Sequence, residues 1–255
     1  MAVQPASRIV SLAPAITDSL LALGLGERLV GVSNLCDSPA IARLPRVGTM
    51  VAPSFDAIAA LRPDAVVAVE GPLRDEVLQR LRTQGVRAYA PRVETVSDVK
   101  RALPLLASLG GRPAAASELS ASIDQGLSRI ARALEGRARP RVVAVCSQEP
   151  LVVAAPSSWV GELLSLAGCE NPVRHSTPYP IVSVEQVASM VPEALVDLTA
   201  PSPSLASAWA SQSMIPAVAT RRVLRVEDVI VRRQGPRVVD AVRALVRVIH
   251  PGVTV

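Results

Sequence analysis

The chain has 255 residues, 49% of them hydrophobic, with a formal net charge of +5 and only 2% aromatic side chains. That length allows one large domain or two lobes, and that apolar content allows substantial cores. No apolar run reaches the roughly 18 residues of a membrane span, and dispersed arginines, a single lysine (Lys100) and scarce aromatics argue against nucleic-acid binding.

Residues 8–13 (RIVSLA) read as a strand, broken at 14–17 and followed by a helix over 18–23 that stops at Gly24. Residues 29–33 (LVGVS) are a second strand and 46–48 a third, very short one. Helix 55–61 leads into strand 65–69. Helix 75–84 ends at Gly85 and precedes strand 86–90. Helix 97–109 is stopped by Gly110 and Gly111. Strands that are apolar throughout and alternate with helices point to parallel sheets covered on both faces. Over 113–135, Leu119, Ile123, Leu127, Ile130 and Leu134 recur at helical spacing with no internal breaker. A helix of that length would extend roughly 35 Å, as a rigid connector.

The second half repeats the grammar: strands 141–146 and 151–155, helix 158–167 ending at Gly168, strand 223–226 and an amphipathic helix 237–249. The repeat is plainest in 54–69 and 183–198. Each copy opens on a capping serine (Ser54, Ser183), places an acid in the first turn (Asp56, Glu185) and breaks at a proline (Pro63, Pro192) before an apolar run. The expected architecture is therefore α/β: two similar lobes with mostly parallel sheets, 1–112 and 138–255, joined by a long helix over 113–137, with a ligand cleft between them.

In open α/β sheets ligands bind beyond the carboxyl ends of the strands. Those loops are 14–17, 34–39, 49–53, 70–73 and 91–93, then 147–150, 156–159, 177–181, 200–204 and 227–234. They carry no dinucleotide fingerprint, phosphate loop or nucleophile elbow. Ser147, Ser157 and Ser158 lack a base. Glu70 and Glu149 read as loop carboxylates, either of which can serve as an acid. His250 ends a helix, where its cation suits the dipole; His175 lies in a proline-rich loop and is a weak candidate ligand, insufficient alone for a metal site. Cys36, Cys146 and Cys169 fit no metal-site spacing and read as small buried hydrophobes, with one disulfide open as an alternative. Trp159 and Tyr179 are candidate ligand contacts. The loops suggest binding rather than catalysis, so no catalytic residue, resident metal or cofactor is expected.

The run 8–18 (RIVSLAPAITD), then Leu23-Gly24, Val30-Gly31-Val32, the two Pro-acid-Ala strands, Leu163-Leu164 with 167–171, and Gly235-Pro236-Arg237 resemble the cobalamin and iron-siderophore substrate-binding proteins of ABC importers. The resemblance covers nearly the whole chain. It implies two α/β lobes joined by one long helix, a ligand between them, and acids that dock on arginines of a permease. An aromatic after the second strand in cobalamin-binding members is Leu35 here. The ligand-binding stretch maps to Val229, Ile230, Val231, Arg232 and Arg233, with aliphatic residues in place of aromatics. Pro14, Glu70 and Arg92, from the strand-end loops, complete the candidate ligand set, with Arg92, Arg232 and Arg233 as its polar contacts. The docking acid of the first lobe maps to Asp75, with Glu76 beside it; that of the second falls on Arg232, which is not acidic.

The expectation is an extracytoplasmic solute-binding protein, monomeric, that carries cobalamin or a related corrinoid to an ABC permease and its ATPase without bond chemistry. Alternatives are a ferric-siderophore or haem carrier of the same family, a two-lobed tetrapyrrole metal chelatase using His175, Glu149 or Glu70, and a cytoplasmic sensor of the same fold. Residues 1–7 hold no hydrophobic run. The chain therefore begins as a cytoplasmic protein would, or as a periplasmic protein or lipoprotein whose signal has been removed.

Overall fold

The computed structural model describes residues 4–199, 204–226 and 229–255, with backbone alone at 72–74. Most of loop 200–204 and the first two residues of loop 227–234 therefore lie outside the described residues. The chain divides into two compact units: Met1–Ile123 with Arg233–Pro236, and Asp124–Arg232 with Arg237–Val255.

In the first unit, β1 (Ile9–Ser11), β2 (Leu29–Val32), β3 (Ala65–Val67) and β4 (Arg87–Tyr89) form a sheet in the order β2-β1-β3-β4. Every pairing is parallel, so each connection must cross over. The crossovers carry α1 (Pro14–Ala22), α2 (Phe55–Ala60) and α3 (Pro72–Thr83), and α4 (Val96–Leu109) follows β4. Val10, Leu12, Val66 and Ala68 pack with Ile58 of α2 and Leu78 and Leu81 of α3. A 21-residue helix, α5 (Pro113–Ala133), then runs out of the first unit and into the second.

In the second unit, β5 (Val142–Gln148), β6 (Leu151–Val153), β7 (Ala194–Asp197) and β8 (Val223–Arg225) take the order β6-β5-β7-β8. Here β6 is antiparallel to β5, because the turn at Glu149-Pro150 is too short for a crossover. Residues 178–182 line the outer edge of β6: Val153 N–H donates to Pro180 O at 3.2 Å and Val182 N–H to Leu151 O at 3.0 Å. The helices are α6 (Trp159–Leu166), α7 (Val184–Ser189), α8 (Leu205–Ala208), α9 (Pro216–Ala219) and α10 (Val238–Ile249). Val143, Val145 and Leu195 of the sheet pack with Val187, Leu205 and Trp209.

Some local expectations need correction. Residues 46–48 form no strand; they make two isolated bridges, Val32 to Arg46 and Gly48 to Pro53. α3 starts at Pro72, three residues before the expected start, since proline suits a first-turn position. As expected, α4 runs through Pro104, which lies on the exposed face while Ala102, Leu103 and Leu106 bury the other. The one-turn helices α8 and α9 are too short to show a period in the sequence.

The repeated motif is also repeated in its bonding. Ser54 Oγ accepts from Ala57 N–H at 3.3 Å, and Ser183 Oγ from Gln186 N–H at 3.2 Å. After each proline the acid reaches the central strand: Asp64 accepts from Ser7 N–H at 2.7 Å and Arg8 N–H at 2.9 Å, and Glu193 from Arg141 N–H at 2.7 Å. These bonds hold the Asp64 carboxyl below its ordinary range, the Ser7 hydroxyl contributing most. The residue before each proline is left-handed, Arg62 at φ 44° and Val191 at φ 48°. A β-branched side chain is strained there. Val191 is 51% exposed, so Val191→Asn should relieve strain without opening a cavity. Its unfolding free energy should rise by about 1 kcal/mol in a urea titration; an unchanged or lower midpoint would refute stored strain at this turn.

Candidate functional site

In the first unit the candidate residues lie on the loops and helix starts that follow the strands. Pro14 is the first residue of α1, directly after β1. The turn is braced below it by Thr17 Oγ1, which donates to Ser11 Oγ at 2.8 Å and lies 3.1 Å from Cys36 Sγ. Leu35, on the loop after β2, is 55% exposed. Arg46 fixes that loop by donating to Cys36 O at 2.5 Å and Ser33 O at 3.3 Å. Glu70 is exposed after β3, and Asp75 and Glu76 are exposed on the first turns of α3.

Two arginines proposed as ligand contacts carry ion pairs of their own. Arg92 pairs with Glu94 at 2.6 Å and with Asp98 at 3.3 Å. Asp98 is buried; burial pushes its carboxyl up, but hydrogen bonds from Thr95 and Arg101 outweigh that and hold it below the ordinary range. Arg233 pairs with Asp37 at 2.7 Å and Asp18 at 3.5 Å. The Arg233 hydrogen bond holds the Asp37 carboxyl low. Neither arginine is a free cation awaiting an anionic ligand.

In the second unit, Ser158 caps α6: its Oγ accepts from Gly161 N–H at 2.9 Å and donates to Ala155 O at 2.7 Å. Trp159 follows it, 2% exposed, with no hydrogen-bond partner on its indole N–H. The expectation that Trp159 offers a ring to a ligand is corrected: it is core, because the first turn of α6 buries it. Tyr179 is 40% exposed. Burial of its hydroxyl raises its pKa, while Ser158 and the Val160 and Trp159 amides favour the phenolate less strongly. His175 is exposed, its Nδ1 accepting from Thr177 N–H at 3.1 Å. Among the described residues no group of three or more potential ligating side chains is placed to hold a metal ion.

Residues 229–232 form a 3-10 turn. Val229 is 49% exposed, but Ile230 and Val231 are 4% and 0% exposed and present almost no surface. Arg232 is exposed, and its charge acts on Cys146, opposing the burial that pushes that thiol up to about 11. Cys169 is pushed up to about 12, again by burial. All three cysteines are free, and these two are protonated at neutral pH.

Sequence reasoning passed over Asp197, the last residue of β7, which is 0% exposed. It accepts from Thr199 N–H at 3.0 Å, Thr199 Oγ1 at 2.7 Å and Leu205 N–H at 2.9 Å. Thr199 Oγ1 accepts in turn from Gln148 Nε2 at 2.9 Å. The signal was present: the first motif copy has Ala68 where the second has an acid at the end of an apolar run.

Residues 9–227 match the profile of a family described as "Periplasmic binding protein". The chain belongs to the periplasmic binding protein family. A relative is the vitamin B12-binding protein of Vibrio parahaemolyticus, 28% identical over 245 residues, covering 95% of this chain and 89% of the relative. Among solved structures, the periplasmic vitamin B12-binding protein of Vibrio cholerae is 29% identical, with TM-score 0.81 and coverage of 96% and 97%. A periplasmic haem-binding protein from Pseudomonas aeruginosa is 27% identical, with TM-score 0.78 and coverage of 98% and 94%. Both the two-sheet α/β architecture and the recognition drawn from the sequence agree with this membership. Periplasmic binding proteins are substrate carriers, and among the described residues no helix is long and apolar enough to cross a membrane.

Proposed function

We propose that this binding protein captures cobalamin or a related corrinoid outside the cytoplasm and hands it to an ABC permease and ATPase. The observation that carries the reading is similarity to vitamin B12-binding proteins over nearly the whole chain, in both sequence and fold. The functional division proposed is lobes 1–112 and 138–255 with the connector 113–137. Leu35, Tyr179 and Val229 are the exposed apolar contacts in this reading, and Pro14, Glu70 and Arg232 are further contacts. Asp75 and Glu76 are the docking acids for the permease. The carrier acts as a monomer without catalysis or a resident cofactor, and the corrinoid is cargo. A haem-carrier reading is kept second because of the 27%-identical haem-binding structure.

Titrating the purified protein with cyanocobalamin, and separately with haemin, tests both. Saturable one-to-one heat with cyanocobalamin at micromolar concentration is expected. Leu35→Asp and Tyr179→Ala should each weaken it about tenfold, the loss that follows from burying a charge or removing an aromatic contact. Absence of heat and of any thermal shift with cyanocobalamin would sink the corrinoid reading; saturation by haemin instead would establish the second.

A further inference from the structure

Arg233 maps to the ligand-binding stretch by resemblance, yet its guanidinium is engaged by the protein itself. The partners lie far back in the chain, Asp37 by 196 residues and Asp18 by 215. Asp18 stands on α1, and Asp37 on the loop that Arg46 braces after β2. Arg233–Pro236 groups with the first unit, while Val229–Arg232 before it and α10 after it group with the second. So short a visit has no core of its own and must be anchored against its conformational entropy. Gly235 and Pro236 are buried but offer little side chain. The Arg233 side chain is 21% exposed and divides its fork between two carboxylates, using one terminal nitrogen for each. A lysine, with a single nitrogen, cannot reproduce that geometry.

We propose that Arg233 is a positioning residue: it clasps the segment leading into α10 to Asp18 and Asp37 and so fixes the adjoining Val229–Arg232 turn. Its consequence for ligand affinity rests on the carrier function proposed above; the clasp itself is a property of the free protein.

Hydrogen exchange of the ligand-free chain tests it. In Arg233→Ala, and in the double variant Asp18→Asn/Asp37→Asn, the amides of 229–235 should exchange about tenfold faster than in the wild type, as a locally opened segment does. Arg233→Lys should fall between. The charge swap Arg233→Asp/Asp37→Arg should recover much of the protection lost in Arg233→Asp alone. Cyanocobalamin affinity should weaken in the same order as exchange accelerates. Wild-type exchange in both Arg233→Ala and the double Asn variant would overturn the clasp. So would an Arg233→Ala protein with unchanged exchange and lost affinity, which would make Arg233 a direct ligand contact. If the wild type takes no cyanocobalamin, the carrier reading fails while the exchange data still decide the clasp.

Discussion

Gly161→Ala should destabilise the protein by about 3 kcal/mol or more, the range of a forced backbone shift in a packed core. A β-carbon there would stand 2.0 Å from the Ala155 carbonyl oxygen and 2.8 Å from both Ala155 C and Pro156 Cα. These are backbone atoms, so no rotamer change can make room. The same carbonyl accepts from Ser158 N–H at 3.0 Å and Ser158 Oγ at 2.7 Å, and Ser158 Oγ accepts from Gly161 N–H. Shifting the turn would therefore also undo the cap of α6 and unseat buried Trp159. Tryptophan fluorescence in urea reports this directly, with exposed Ser157→Ala as a control that should move the unfolding free energy by less than about 0.5 kcal/mol. A loss below about 1 kcal/mol in Gly161→Ala would mean the 155–161 turn yields easily, against the close packing described.

Asp197→Ala should lower stability by about 3 kcal/mol, because it leaves buried donors unpaired. Thr199 N–H, Thr199 Oγ1–H and Leu205 N–H would lose their acceptor, and the Arg225 guanidinium, 3.7 Å away, would lose this carboxylate partner. Asp197→Asn keeps one acceptor oxygen and should cost about half as much. If Asn and Ala variants lose equal stability, the carboxylate's two-sided bonding is not what holds the ends of the β7–α8 connection. Because Gln148 joins through Thr199, the alanine variant should also loosen the Gln148 side chain.

Much of the fold was legible because its signals are local. Capping serines, first-turn acids and the proline break read the same way at 54–69 and 183–198, and α2 and α7 form at the matching positions. Apolar strand runs announced buried parallel sheets, since a strand covered on both faces cannot alternate. The site was less legible. Trp159 looked like a ligand contact because it opens a helix near a strand end, but whether an aromatic at that position faces outward or inward depends on what packs over it. Asp64 and Glu193 read only as acids after proline; their task of fastening the central strands emerges from the register of β1 with β3 and of β5 with β7.

The sequence by itself determined the longer helices, most strands, the internal repeat and membership in a carrier family, since period, caps and turn residues act within a few positions of one another. Only the tertiary structure decided that Arg92 and Arg233 have carboxylate partners, that Asp197 organises the end of β7, that β6 runs antiparallel, and that Leu35 and Tyr179 remain exposed while Trp159, Ile230 and Val231 do not. Those outcomes depend on groups far apart in the chain, 196 residues in the pairing of Arg233 with Asp37, and on burial, which no local pattern encodes.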